Sequence, residues 1–279
     1  MDLASVFDRL EKSAAQQIRS EQGDYIIDGL LYCHKCETPK QCRVNVLGRE
    51  RKPMCLCKCE QEKRDKEDQE RKRQAFIERT KKLRKMGFPD EDLVKCNFAN
   101  DDKANGKASK VAYQYYTHFE EMLKRGKGLL LFGNVGSGKT FLAASIANEL
   151  IDKGYPCLVT NFARLTNTIS GMYDGKQEYI DGLNKFDLLV IDDLAAERDT
   201  EYMNEIVQNI IDARYRSGKP LIITTNLTAK EIYNPTDIKK QRTYSRIAEM
   251  CVPLQVEGKD RRKQKAIDDI KDIEKLLDL

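Results

Sequence analysis

Gly133-Asn134-Val135-Gly136-Ser137-Gly138-Lys139-Thr140 spells G-x-x-x-x-G-K-[ST] with every fixed position filled. Leu129-Leu130-Leu131-Phe132 before it is an apolar run of strand length, and Phe141 to Leu150 after it repeats apolar residues at helical spacing. Strand, glycine-rich loop and helix form the context in which successive backbone N–H groups curl around an anion at a helix N-terminus. The stretch therefore predicts a phosphate-binding loop in which Gly133 to Gly138 wrap a nucleotide's phosphates. Lys139 is expected at the β- and γ-phosphates and the Thr140 hydroxyl on Mg²⁺, with ATP as the nucleotide.

Beyond the loop, Pro156–Thr160, Asp187–Asp192, Leu221–Thr225 and Val252–Val256 read as strands with helices between them. That alternation predicts an α/β domain with a central parallel sheet covered on both faces, and a ligand at the carboxyl ends of its strands. Leu188-Leu189-Val190-Ile191-Asp192-Asp193 is an apolar strand ending in two acids. Beside the phosphate loop, Asp192 is expected to hold Mg²⁺ and Asp193 to orient or deprotonate the attacking water. Leu221-Ile222-Ile223-Thr224-Thr225 ends in Asn226, either a contact to the γ-phosphate or water, or a simple turn residue.

With 279 residues, 34% charged, the chain is long enough for one or two domains. A mean hydropathy of −0.64 and the absence of a long apolar run argue against a membrane span. The first ten residues lack the apolar stretch of a secretory signal, so a cytoplasmic protein is expected. A net charge of +4 does not by itself prove a nucleic-acid partner. Leu3, Val6, Phe7, Leu10, Ala14 and Ile18 fall on one face of a helix. Glu60 to Lys85 reads as a solvated helical linker broken at Gly87-Phe88-Pro89-Asp90. Asp101 to Lys110 reads as a polar surface loop, and Tyr113 to Arg125 as a helix leading into the phosphate-loop strand.

Nine cysteines in a cytoplasmic chain call for metal or burial rather than disulfides. Cys33-His34-Lys35-Cys36 is one C-x-x-C knuckle, and Cys55-Leu56-Cys57-Lys58-Cys59 is a second group about twenty residues on, the spacing of a structural zinc site. Cys33 and Cys36 are the first pair; the second is Cys57 with Cys59, or Cys55 with one of them. Cys42 reads as a bystander. Cys96, Cys157 and Cys251 read as small core residues.

The order of motifs, phosphate loop, Val-Ile-Asp-Asp, Ile-Ile-Thr-Thr-Asn and Tyr244-Ser245-Arg246-Ile247, resembles the AAA+ ATPases of the DnaC/DnaI helicase-loader group, to which the IstB transposition helpers are related. The resemblance runs from about Phe98 to Arg262. It implies an AAA+ P-loop NTPase core without a C-terminal lid domain, preceded by a small zinc-binding helical N-terminal module. It also implies Asn226 as the γ-phosphate sensor and Arg246 as an arginine finger completing a neighbour's ATP site. Arg261 or Arg262 would be a second sensor. The terminal Cys57-Lys58-Cys59-Glu60 matches the group's zinc pattern and favours Cys57 and Cys59 over Cys55. The implied organisation is a zinc-binding, helicase-interacting module at 1–60 and a charged linker at 61–87, then the ATPase core at 88–258 and a charged tail at 259–279.

The partners implied are a hexameric replicative helicase, single-stranded DNA and further copies of the chain across the ATP interface. Arg164, Tyr173, Lys176, Tyr179 and Lys185, in the insert between the second and third core strands, have the basic and aromatic character a single strand requires. Read without the resemblance, the same insert is an amphipathic helix pair. The function implied is ATP-dependent loading of the replicative helicase, with an IstB-like ATPase helper of a transposase as the alternative. A metabolic kinase would need an acceptor pocket and a lid, for which the sequence offers no candidate.

Overall fold

The computed structural model describes residues 21–277 except 47, 104, 196–199, 236 and 259, with main chain alone at 238, 239, 262, 264, 265, 268, 271 and 272. The amphipathic stretch from Leu3 to Ile18 and the side chain of Arg262 lie outside the described residues. The chain divides into two compact units, Met1–Ile77 and Glu78–Leu279.

In the first unit, β1 (Tyr25–Ile27) and β2 (Leu30–Tyr32) form an antiparallel hairpin, as do β3 (Val44–Val46) and β4 (Arg49–Arg51). Between β1 and β2, Asp28 and Gly29 both take positive φ, 48° and 73°. This is the twist that a two-residue hairpin turn requires and that Asp-Gly supplies at little cost. The expected helical module is thus corrected for its described residues: it is built from hairpins until α1 begins. The Asp-Gly pair flanked by Ile-Ile and Leu-Leu-Tyr was the readable signal. Among its described residues the buried apolar side chains are Cys33 and Cys57, too few for a core. A buried Lys40–Asp24 ion pair at 2.7 Å, with His34 Nδ1 on the same carboxylate at 3.1 Å, ties the first hairpin to the knuckle.

Helix α1 (Lys58–Gly87) begins inside the second cysteine group and crosses the boundary between units. Its exposed Lys, Arg and Glu side chains follow from a sequence with few apolar positions. Its end belongs to the second unit, where Leu83 packs on the core and Arg84 meets Asp152 at 2.6 Å. Gly87 ends it, because Phe88 precedes a proline and cannot extend the helix.

The second unit continues through α2 (Glu91–Val94), a 3₁₀ turn at Phe98–Asn100, α3 (Gly106–Thr117) and α4 (Phe119–Arg125) to β5 (Gly128–Phe132). Then follow α5 (Lys139–Asp152), β6 (Cys157–Asn161), α6 (Phe162–Ser170), α7 (Lys176–Leu183), β7 (Leu188–Leu194) and α8 (Glu201–Ser217). The chain closes with β8 (Leu221–Thr225), α9 (Ala229–Tyr233), α10 (Ile238–Met250), β9 (Cys251–Gln255) and α11 (Arg261–Leu276). Two local expectations change. The helix expected from Tyr113 starts at Gly106, inside the supposed loop, and is broken at His118 into α3 and α4. The polar residues of the supposed loop include Asn105 and Ser109, which face inward and are buried.

The sheet is parallel throughout, with strand order β6-β7-β8-β5-β9. Alternation along the strands feeds two cores: Leu129, Leu131, Val190 and Ile222 face α3 and α5, whereas Leu130, Leu189, Ile191 and Ile223 face α6, α8 and α10. Cys157 and Cys251 sit in these cores and Cys96 packs at the edge of one, so burial accounts for all three. Arg214 is fully buried and donates to the carbonyls of Phe186, Asp187 and Pro220, fastening the entries of β7 and β8. The strand order reverses beside β5, so the loops after β5, β7 and β8 converge at one end of the sheet.

Candidate nucleotide site and cysteine cluster

The loop after β5 turns through Gly136 and Gly138 at φ 74° and 97°, conformations that side chains rarely adopt, and delivers Lys139 to the first turn of α5. It opens on a cleft of about 240 Å³ lined by Lys139, Thr140, Asp193, Asn226 and Arg261 together with the loop itself. Lys139 Nζ donates to the Gly133 and Asn134 carbonyls at 3.0 and 2.8 Å and to Asn226 Oδ1 at 2.8 Å. Asn226 is thus brought to the phosphate loop by the end of β8 and faces the lysine.

Asp192, at the end of β7, accepts from Thr140 Oγ at 2.9 Å and from Thr224 Oγ. Burial pushes its carboxyl up from the ordinary value, opposed by the Thr224 and Thr140 hydrogen bonds, while the neighbouring Asp193 charge pushes it further up. The Thr140 hydroxyl and the Asp192 carboxylate, in contact with each other, are oxygen donors of the kind Mg²⁺ takes, so the two side chains fit that ion. Asp193 takes φ 58°, an uncommon conformation for a non-glycine residue, which turns its carboxyl toward the cleft where the regular pleat would not. Its N–H donates to Thr224 Oγ at 3.0 Å. Thr224 therefore links the Asp192 carboxylate to the Asp193 main chain, a role that reading the sequence did not assign.

Arg261 opens α11 and lines the cleft; its N–H donates to the Gly136 carbonyl at 3.2 Å. Asn105, also missed, donates to the Ser137 carbonyl at 2.6 Å. Arg246 is not brought to the cleft. It lies on α10, paired with Asp212 on α8 and 5.4 Å over the Tyr215 ring. Glu249, the acid nearest it on the same helix, instead accepts from Tyr215 Oη at 3.0 Å. In the insert, Arg164, Tyr173 and Lys185 are exposed, while Lys176 donates to Tyr202 Oη at 3.0 Å and Tyr179 packs on the core.

In the first unit the sulfurs of Cys33, Cys36, Cys57 and Cys59 all lie within 4.8 Å of one another, with Cys57–Cys59 at 3.3 Å and Cys33–Cys59 at 3.7 Å. Four thiolates bound tetrahedrally to zinc at ~2.3 Å stand about 3.8 Å apart, so the set fits that ion. The Thr38 hydroxyl holds Cys36 down at about 5, whereas hydrogen bonds to Cys57 push Cys59 up to about 12. Four thiols this close cannot all ionise without a cation among them. Cys55 stands outside the group, donating to the Pro39 carbonyl at 3.5 Å, and Cys42 is exposed. None of the nine cysteines is paired in a disulfide.

Residues 59–268 match the family of IstB-like ATP binding proteins. The replicative helicase loader DnaI of Bacillus subtilis is 26% identical over 196 residues, 64% of this chain and 62% of that protein. The loader DnaC of Escherichia coli K12 is 27% identical over 144 residues, 49% and 58% of the two chains. An uncharacterized Bacillus subtilis protein, YqaM, is 32% identical over 170 residues, 58% and 53%. The matches thus span between about half and three-fifths of these relatives' own lengths. A crystal structure of DnaI superposes with a TM-score of 0.52 at 25% identity over 61% of this chain and 96% of that one. The DnaC helicase loader gives 0.50 at 24% identity, covering 60% and 100%, a likeness of fold alone. Among the described residues no helix is long and apolar enough to cross a membrane. With the phosphate loop, the two acids and Asn226 gathered at one end of a parallel sheet, the chain is a member of the IstB-like ATP-binding family and carries the AAA+ core of the DnaC/DnaI type.

Proposed function

We propose that the protein is an ATPase that loads a hexameric replicative helicase onto single-stranded DNA, ATP hydrolysis driving a conformational switch. The observation that carries the ATPase reading is the convergence of Lys139, Thr140, Asp193 and Asn226 on one cleft, with Asp192 hydrogen-bonded to Thr140 behind it. Gly133 to Gly138 cradle the phosphates with backbone N–H groups, and Lys139 exchanges its carbonyl partners for the β- and γ-phosphates. Thr140 and Asp192 would hold Mg²⁺, which when bound would neutralise charge on the transferring phosphoryl group. Asp193 orients the attacking water, Asn226 reports the γ-phosphate to Lys139, and Arg261 closes over the loop. Arg246 leaves Asp212 to complete the ATP site of an adjacent copy.

The kinship with DnaI and DnaC supports the helicase as partner. Zn²⁺ held by Cys33, Cys36, Cys57 and Cys59 folds the N-terminal module that meets the helicase. Exposed Arg164, Tyr173 and Lys185 give the insert a surface for single-stranded DNA, the bases stacking on the ring. The second reading, an IstB-like helper of a transposase, draws on the family match. The test is to mix the full chain with the replicative helicase of the same genome and follow phosphate release and helicase transfer to a single strand. Stable helicase capture with strand-stimulated turnover is expected. Turnover without helicase capture, but stimulated by a transposase, would replace the loader reading with the helper one. Absent hydrolysis refutes the ATPase.

A further inference from the structure

Asp102 and Asn105, in a stretch that reads from its composition as a surface loop, each contact residues of the nucleotide site. At one end the buried Asn105 amide holds the phosphate loop through the Ser137 carbonyl at 2.6 Å. Three residues earlier, Asp102 Oδ1 accepts from Arg261 Nη2 at 2.7 Å. The other side of that guanidinium faces the phosphate loop: a Cβ built on Gly138 would lie 3.3 Å from Nη1 and 3.5 Å from Cζ. The fork of Arg261 is therefore split, one amino group anchored on Asp102 and the other aimed over the loop, while its backbone N–H is pinned to the Gly136 carbonyl.

We infer that Asp102 is a positioning residue that aims Arg261 at the terminal phosphate and thereby sets the preference of this site for ATP over ADP. The inference rests on the nucleotide-site reading above. An unanchored arginine samples many rotamers, and ordering one on binding costs conformational entropy. Asp102 removes part of that cost before nucleotide arrives, and because its contact is with Nη2 the Nη1 amino group stays turned toward the phosphate loop. Arg261 shares the cleft with Lys139 and Asn226, the end at which ATP and ADP differ. The pair is part-exposed, 55% at Asp102 and 32% at Arg261, so the effect is modest and weakens with salt.

The experiment is equilibrium titration of the full chain with ATP and ADP in Mg²⁺, comparing wild type with Asp102→Ala, Asp102→Glu, Arg261→Ala and Asp102→Ala/Arg261→Ala. Asp102→Ala is expected to lower the ATP-to-ADP affinity ratio about threefold with ADP affinity unchanged. Asp102→Glu restores the ratio, and Asp102→Ala adds no effect in the Arg261→Ala background. An unchanged ratio, an equal loss of both nucleotides, a further loss without Arg261, or tighter ATP binding, as from a released latch, overturns it. Lys139→Ala separates the two readings. If wild type binds no ATP, or binds it no better than Lys139→Ala, the nucleotide site itself falls and this inference with it. Lys139-dependent ATP binding with an unchanged ratio in Asp102→Ala sinks the inference alone.

Discussion

Replacing Arg246 with alanine tests a tension within one side chain, between a strut of its own chain and a finger for a neighbour. Arg246 and Asp212 form an ion pair with side chains 21% and 10% exposed, so Asp212 is the more desolvated partner. Breaking a buried pair from one side costs about 3–5 kcal/mol, because a charge stays behind without its partner. Two features reduce that figure: Arg246 is one-fifth exposed, and Arg242 remains within 3.5 Å of Asp212. Losing the guanidinium over the Tyr215 ring, 5.4 Å away, adds about 0.5 kcal/mol. The expected destabilisation is about 2 kcal/mol, a Tm decrease of about 4–8 °C for a domain of this size. Urea denaturation of Arg246→Ala, Asp212→Ala and the double variant should show a coupling of at least about 1 kcal/mol, the double variant costing less than the sum. A loss below about 0.5 kcal/mol, or simple additivity, refutes the strut. Turnover is read separately, below the melting range: Arg246→Ala binds ATP but does not hydrolyse it, and mixing it with Lys139→Ala returns activity at hybrid interfaces. A folded Arg246→Ala with normal turnover removes the finger and leaves only the strut.

Lys139→Ala is expected to abolish hydrolysis while the thermal transition stays in place, measured by phosphate release and calorimetry. Native protein should contain one zinc per chain by elemental analysis, lost in Cys33→Ser or Cys57→Ser; full zinc retention in both variants contradicts the assigned ligands. Asp192→Asn should stabilise the nucleotide-free chain yet abolish Mg²⁺-dependent turnover. Burial raises the Asp192 carboxyl above its unfolded value, so between those two values the folded chain binds more protons and stability falls as pH rises. The penalty persists at neutral pH and disappears with the charge, so a neutral-pH denaturation midpoint that drops in Asp192→Asn contradicts this. Asp193→Gly should relieve about 1 kcal/mol of left-handed backbone strain, part of it returned as unfolded-chain entropy. Its stability is therefore expected to stay within about 1 kcal/mol of wild type while turnover falls, and retained turnover would discount Asp193 as the group orienting water.

The chain's local chemistry determined much of the core. An unbroken G-x-x-x-x-G-K-T after an apolar run and before a helix needs only neighbours in sequence to declare itself. Buried parallel strands are continuous apolar runs, so β5 to β9 could be placed within a residue or two. Cysteine spacing likewise singled out Cys33 and Cys36, since a short knuckle is a local feature, but left the second pair open among Cys55, Cys57 and Cys59; the sulfurs of Cys57 and Cys59 are the ones gathered with the first pair. Tertiary structure decided whatever depends on partners distant in the chain. Thr224 is one threonine among several until β8 is laid beside β7 and its hydroxyl meets the Asp192 carboxylate and the Asp193 N–H. Asp102 and Asn105 are polar, and polarity reads as surface; only the return of the chain at Arg261 and the approach of the Ser137 carbonyl bring the two to the site. Arg246 shows the limit most clearly. Its motif names a chemistry, but an arginine's charge carries no address, and Asp212 claims it because packing of α10 on α8 brings the two together where water is largely excluded.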